Sequence, residues 1–251
     1  MGKQLGILPI SATMDNMTFY QSKDGMKVKK QSRISKDAIM NGDSFVRTRE
    51  NFSDFGTAGK AGQLVRLAFR SIINACKDHR VVSRLQTLMV KVVKADAVNL
   101  RGKRNVVDGE LQKLVGFDFN RKASLVTVLN TDITVAFDRV AGKVDITVPS
   151  FIPVKKLVKP QDATHYKVVS AASTLDFVNG KFISKDFESG YLPLDNNPAA
   201  EIDIVHQLPA NGTDPMIAVL GIQYFMVEHG VQYELNTHEF NALSIVNVST
   251  V

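Results

Sequence analysis

The apolar residues of this chain change period near residue 116, and that change limits the folds open to it. Between residues 44 and 115 they recur at three-, four- and seven-residue intervals. Phe45, Phe52, Phe55, Val65, Phe69, Ile72 and Cys76 form one series, apart from one gap between Phe55 and Val65, and Val82, Leu85, Met89 and Val92 form a second, with Asp96 at its next place. Such spacing puts each series on one face of a helix. From residue 116 alternation takes over. The segment Lys143-Val144-Asp145-Ile146-Thr147-Val148 sends Val144, Ile146 and Val148 to one side of a strand. Similar units lie at 125–129, 133–137, 166–170, 175–178, 201–206, 231–235 and 243–248. Ala141-Gly142, Asn179-Gly180, Asn211-Gly212 and His229-Gly230 supply turns between many of them. The expected class is α+β, with a basic helical unit over 44–115 and an acidic antiparallel β-sandwich of immunoglobulin or fibronectin type over 116–251.

Residues 1–43 read as an extended arm with a hairpin. Thr18-Phe19-Tyr20 and Met26-Lys27-Val28 flank Lys23-Asp24-Gly25, and an Asp-Gly turn between such segments is a strong hairpin signal. Leu5, Ile7, Leu8 and Ile10 precede it as a further extended stretch. An isolated hairpin cannot bury an apolar set of its own. Leu5, Ile7, Leu8, Ile10, Phe19 and Val28 are therefore expected to pack on the rest of the chain or on a neighbouring copy. Lys27, Lys29, Lys30 and Arg33 would then reach toward an acidic surface.

Two further features bear on packing. Gly56, Gly59 and Gly62 interrupt the first helical series, so either the helix breaks there or a partner comes close. A second helix follows the turn at Lys77-Asp78-His79, and residues 108–115 read as a short third one. The run 215–227, Pro-Met-Ile-Ala-Val-Leu-Gly-Ile-Gln-Tyr-Phe-Met-Val, is apolar on both faces. A central strand covered on both sides accounts for it; the alternative is a strand whose outer face meets another subunit.

The formal charge of +6 hides a polarity. Residues 1–104 hold 20 Lys+Arg against 8 Asp+Glu, a balance of +12, whereas residues 105–251 hold 11 against 17, a balance of −6. Such asymmetry points to a polyanion partner for the basic half or to complementary contact between copies. Arg66, Arg70, Arg84, Lys91, Arg101, Lys103 and Arg104 are the candidates for phosphate contacts. Aromatic residues do not interleave with them as stacking platforms would, so weak, non-specific nucleic-acid affinity is the expectation.

The residues carry no catalytic signature. Gly56-Thr57-Ala58-Gly59-Lys60-Ala61-Gly62 lacks the Ser or Thr that a phosphate loop needs after its Lys, and its approach is helical. His79, His165, His206, His229 and His238 are dispersed, with no pair spaced to share a metal on one helix face. His165, His206 and the loop from Asp195 to Asp203 would be the first suspects for a metal, yet the spacing matches no calcium loop. Cys76, the only cysteine, reads as a core residue. No catalytic residue, metal or cofactor is expected. No run is long enough to insert in a membrane. The first residues lack the features of a secretory leader, so synthesis in the cytoplasm is expected.

Thr18-Phe19-Tyr20, Ser22-Lys23-Asp24-Gly25, Arg47-Thr48-Arg49-Glu50-Asn51, Phe55-Gly56, Ala58-Gly59-Lys60-Ala61-Gly62, Ser83-Arg84-Leu85, Arg101-Gly102, Arg104-Asn105-Val106 and Asp108-Gly109-Glu110 together resemble an uncharacterised family of Bacteroidota proteins of about this length. The resemblance implies a prophage or assembly origin and lends no site residue. The expected function is a non-enzymatic structural subunit that polymerises with itself into a filament, tube or phage-like particle. A head-to-tail contact between unlike surfaces generates such assemblies. A nucleic-acid-associated protein is the first alternative and a β-sandwich binding module the second.

Overall fold

The computed structural model describes residues 2–3, 10–22, 24–30, 34–235 and 239–250. Leu5, Ile7, Leu8, Lys23, Arg33 and His238 lie outside the described residues. The chain divides into two compact units, Met1–Asn51 and Phe52–Val251. Its class is α+β, and among the described residues every strand pair is antiparallel.

The first unit is a four-stranded sheet of β1 (Gly2–Lys3), β2 (Ala12–Met14), β3 (Met17–Ser22) and β4 (Gly25–Lys30), in the order β1-β4-β3-β2. Asp15 and Asn16, with φ of 44° and 65°, make the two-residue turn that pairs Met14 with Met17. Both centres have positive φ, which Asp and Asn tolerate better than other side-chain-bearing residues and which matches the twist of paired strands. The Asp24-Gly25 signal marks the β3–β4 hairpin, where Ser22 pairs with Gly25 and the Ser22 hydroxyl donates to the Gly25 carbonyl at 2.8 Å. The helix α1 (Lys36–Asn41) follows, capped by the Ser35 hydroxyl accepting from the Ala38 amide. Arg49 Nη1 donates to the carbonyls of Ile39 and Gly42 and pins the end of α1. None of the described residues from 10 to 51 is buried.

The second unit is layered. Helices α2 (Val46–Ala68, which contains the boundary), α3 (Arg70–Cys76) and α4 (Val81–Lys94) are followed by the one-turn helices α5 (Leu125–Val128) and α6 (Pro153–Lys156). The strands are β5 (Thr134–Asp138), β6 (Lys143–Val148), β7 (His165–Asp176), β8 (Lys181–Glu188), β9 (Leu192–Pro193), β10 (Ile202–Gln207), β11 (Met216–Glu228), β12 (Val231–Glu234) and β13 (Ala242–Ser249). In the larger sheet β11 pairs with β7 on one side and with β13 and then β12 on the other; β7 carries β8 and β9. The smaller sheet is β10-β6-β5.

Alternation assigns each face of the larger sheet to a separate core. Val169, Ala171, Leu175, Ile217, Val219, Leu243 and Ile245 cluster with Val65, Phe69, Ile72, Cys76, Leu85 and Met89 of the helices. Val168, Ala172, Ala218, Leu220 and Ile222 cluster with Val144, Ile146, Val148 and Ile204 of the smaller sheet. The run through β11 is thus apolar on both faces because both faces are covered within the chain. The main sheet thus has the smaller sheet against one face and the helices against the other. Segment 44–115 and segment 116–251 contribute to the same first core.

Several elements differ from the sequence expectations, each for a physical reason. Phe52 and Phe55 are both 57 % exposed. The face that α2 buries is made instead of Asp54, Ala58, Ala61, Gly62, Leu64, Val65 and Ala68. The helix runs unbroken, and a Cβ on Gly62 would lie 3.5 Å from the Met89 side chain, so small residues admit α4 close to the α2 backbone. Val82 is 52 % exposed, whereas Asp96 is buried. The alternating segment 125–129 forms the one-turn α5, because Leu125 and Val128 bury at i,i+3 and Asp118 accepts from the Leu125 amide. Residues 166–170 and 175–176 fall on one long strand, β7, which ends at Asp176, and residues 177–178 lie in the turn beyond it. Residues 111–114 form a 3-10 turn within the expected third helix. The strand β8 had no alternating signal, as an edge strand with mostly exposed residues on both sides.

Candidate functional site

The candidate phosphate-contacting residues differ in how far the fold already engages them. Arg84 is committed to the fold. Its Nη2 bonds to Asp78 at 2.7 Å, it donates to the carbonyls of Asp118 and Phe119, and its guanidinium lies 5.0 Å from the Phe117 ring. Arg104 lies 4.0 Å from the buried Asp54, whose other oxygen accepts from the Gly102 amide. Arg66 turns back onto the Gly62 carbonyl of its own helix. Arg70, Lys91, Arg101 and Lys103 are exposed, on the first residue of α3, the last turn of α4 and the loop after it.

That loop is itself rigidly built. Asp96 accepts from the amides of Val98, Asn99 and Asn105 and from the Asn99 side chain. Burial pushes the Asp96 carboxyl up, but these donors outweigh it and bring it down to about 2. Ser53 bonds to the Gly102 carbonyl and holds the loop to α2.

A concentrated basic site exists elsewhere. A cleft of about 710 Å³ is lined by Lys77, Asp78, His79, Arg80, Arg121 and Lys122. Its two walls come from the turn between α3 and α4 and from residues 121–122, far apart in sequence. Asp78 joins them. One of its oxygens accepts from the Arg80 amide at 2.6 Å; the other accepts from the Arg121 amide at 2.9 Å and from Arg84. The Asp78 amide in turn donates to the Phe119 carbonyl. Burial raises the Asp78 carboxyl, and the Arg121, Arg80 and Arg84 donors overcome that and hold it below the usual carboxylate range. Asn120 steadies the second wall, donating to the Asn241 carbonyl and accepting from the Lys122 amide.

Among the described residues that line the cleft, Asp78 is the one acid and is bonded to the scaffold, and the other charged lining residues include four Lys or Arg. Lys122 pairs with Glu239 at 2.5 Å and Lys77 donates to Asn74. Arg80 is also the N-cap position of α4, where no side chain caps the helix, so the positive end of the α4 dipole faces the same cleft. Sequence reasoning saw Lys77-Asp78-His79 only as a turn and missed Arg80, Arg121 and Lys122. The juxtaposition depends on a bond across 43 residues, which no local pattern signals.

Other sequence candidates fall into structural roles. Of the arm set, Ile10 is exposed, and Phe19 and Val28 are half-buried as a cross-strand pair. His206 does not meet His165. Its Nε2 lies 2.9 Å from the buried Ser170 hydroxyl, which donates to the Val219 carbonyl. The serine proton is therefore already committed, and the imidazole donates to the serine oxygen rather than acting as its base. His165 contacts Thr164, Asp195 accepts from Asn197, and Asp203 accepts from Thr147. Burial pushes the Cys76 thiol up to about 12, which keeps it protonated. Among the described residues no group of three or more His, Cys, Asp or Glu is placed to hold a metal ion, and no helix is long and apolar enough to cross a membrane. No family model matches the chain, and neither the curated proteins nor the solved structures contain a match to it.

Proposed function

We propose that the protein is a non-enzymatic structural subunit that assembles with copies of itself, the N-terminal unit of one copy docking on another. The observation that carries this is the absence of any buried residue among the described residues 10–51, although they form a sheet and a capped helix. Phe19, Tyr20, Met26 and Val28 are left half-buried there. Covering one such side chain fully is worth about 1.5–3 kcal/mol, so several together offset the cost of association.

Charge favours a second copy as the occupant. The arm presents Lys27, Lys29 and Lys30 on β4. The smaller sheet of the second unit turns Asp138, Asp145 and Asp203 outward, with Lys143 paired to Asp145 at 3.3 Å. Its edges β5 and β10 are each paired on one side only, and an extended arm adds to such edges by main-chain bonds. The immunoglobulin- or fibronectin-like relation of the two C-terminal sheets belongs to the same reading, as does an assembly origin of the kind the family resemblance implies. A filament, tube or particle is the expected product.

Deleting residues 1–36 tests the proposal, because every residue of both buried clusters lies at position 58 or beyond. Light scattering should find assemblies of the full chain that grow with concentration and loosen with salt. The shortened chain should be a folded monomer. A full chain that stays monomeric, or a shortened one that assembles as before, would refute the proposal.

A further inference from the structure

We infer that the loop after α4 docks on the surface of an anionic bilayer, Val98 and Leu100 entering the headgroup layer while Lys91, Lys94, Arg101 and Lys103 rest on the anionic headgroups. The first observation is exposure. Val98 is 79 % exposed and Leu100 78 %, and one residue separates them. Val126, Val140 and Val178 are similarly open to solvent, but none of these has a second exposed large apolar residue within three places of it. Single apolar side chains are ordinary at a protein surface, whereas a pair presented at one tip marks a contact surface.

The second observation is a scaffold that holds the pair outward. Asp96, itself buried, accepts from the amides of Val98 and Asn99 at 2.9 Å and of Asn105 at 3.0 Å, closing the loop from within. Asp108 ties Asn99 to Asn105 by accepting from both side chains. At the tip the Lys103 amide donates to the Leu100 carbonyl at 3.0 Å, a turn that Gly102 permits with its φ of 81°. Asp54 accepts from the Gly102 amide and fastens that turn to α2. The backbone under Val98 and Leu100 is thus fixed in advance, so docking need not order it.

The third is charge. Lys91 and Lys94 stand on the last turn of α4, Arg101 and Lys103 on the tip turn, and all four are exposed. Among the described residues no salt bridge or side-chain hydrogen bond engages any of them. The acids of this stretch are already engaged: Asp54 lies against Arg104, Glu110 pairs with Lys113, and Asp96 and Asp108 accept from the loop itself. Cations around an aliphatic tip match an anionic leaflet, the tip reaching the acyl boundary while the charges stay among the headgroups. Nucleic acid would use the cations but gain nothing from Val98 and Leu100, and residues 96–108 include no aromatic side chain for stacking. Protein hot spots favour Trp, Tyr and Arg over Val and Leu. The contact is peripheral, since no helix among the described residues is long and apolar enough to cross. Every residue involved belongs to the second unit, so the inference stands apart from the assembly proposed for the first.

The chain has no Trp, so one introduced indole reports its own surroundings. Emission of full-length Leu100→Trp should shift to the blue on vesicles of phosphatidylcholine with about 30 % phosphatidylserine, and brominated acyl chains should quench it. Val140→Trp, at a site 74 % exposed and outside the loop, should do neither. Co-sedimentation should find the wild type on the anionic vesicles, about tenfold less on phosphatidylcholine alone, and released by salt. Lys91→Gln, Lys94→Gln should weaken binding about twentyfold, at roughly fivefold per cation. Val98→Ser, Leu100→Ser should weaken it about tenfold or more. The loop is bonded through the main chain at these two residues, so the fold should survive. Should that pair melt early, the emission of Leu100→Trp alone carries the test. Emission left unmoved by anionic vesicles, or an equal shift from Val140→Trp, would overturn the inference. So would vesicle binding that Val98→Ser, Leu100→Ser leaves intact, which would mark adsorption by charge alone, or duplex DNA displacing the vesicles at equal phosphate, which would mark nucleic acid as the partner.

Discussion

His206 is almost wholly buried, and burial decides its protonation. Removal from water disfavours the imidazolium and pushes the pKa below its ordinary 6.5, with the nearby Asp186 opposing in part. The unfolded chain therefore takes up a proton first as pH falls. Stability from this residue is complete above the unfolded value and declines below it, down through the folded pKa. Urea unfolding at stepped pH below 6.5 should show a loss approaching about 1.4 kcal/mol per pH unit. His206→Gln keeps a donor toward Ser170 and should flatten that slope; parallel slopes in variant and wild type would assign the titration to another group. A different residue-scale case is Tyr166, whose buried hydroxyl finds no partner among the described residues. Tyr166→Phe removes an unsatisfied polar atom and should leave stability equal or raised by about 1 kcal/mol in thermal unfolding.

The elements differ in how far their sequences announce them. The strands β5, β6, β10, β12 and β13 alternate or end on glycine turns, and their segments are visible in the residues alone. The strand β7 is harder, because its buried stretch from Tyr166 onward includes Ser170, Ser173 and Thr174, which read as interruptions although all are buried. In α2 the misleading residues are the large ones: Phe52 and Phe55 suggest the core face, but helix packing against α4 selected the small residues. The turn at Lys77-Asp78-His79 is visible; its union with Arg121 is not, since a long-range hydrogen bond leaves no period. The β13 pairing shows how local irregularity preserves a pattern. Ala218 pairs with Asn247 and Val219 with Ile245, so Val246 is an extra residue. That bulge lets Ile245 and Val248, three apart, both face the helices. Opposite Leu243 stands Gly221, where a Cβ would come within 2.4 Å of the Ala242 carbonyl oxygen and 2.9 Å of the Leu243 side chain. Gly221→Ala should therefore part β11 from β13 and cost about 1–3 kcal/mol, measured by chemical denaturation. An unchanged midpoint would mean that β13 can shift freely, against the tight pairing described.

At the scale of the whole molecule, buried cores and charge are unevenly shared. The second unit owns both apolar clusters, one on each face of the larger sheet, and its β7 and β11 are covered throughout most of their length. The first unit has hydrogen-bonded strands but no buried residue among those described. Backbone bonds without a core open at little free-energy cost, so the two units should differ sharply in local stability. Hydrogen exchange on dilute full-length protein should find the amides of 12–30 exchanging orders of magnitude faster than those of 165–176 and 216–225. If the N-terminal unit docks on a second copy, its amides gain protection as concentration rises, while those of β7 and β11 stay as they were. The edge strands β5 and β10 should gain protection together with the arm, because main-chain pairing protects donor and acceptor alike. Raising the salt should reverse both gains, since Lys27, Lys29 and Lys30 would be drawn to Asp138 and Asp203 through exposed, screenable attraction. Strong protection of 12–30 in dilute protein would contradict the argument from missing burial. Concentration-dependent protection confined to any other surface would place the assembly contact away from the arm.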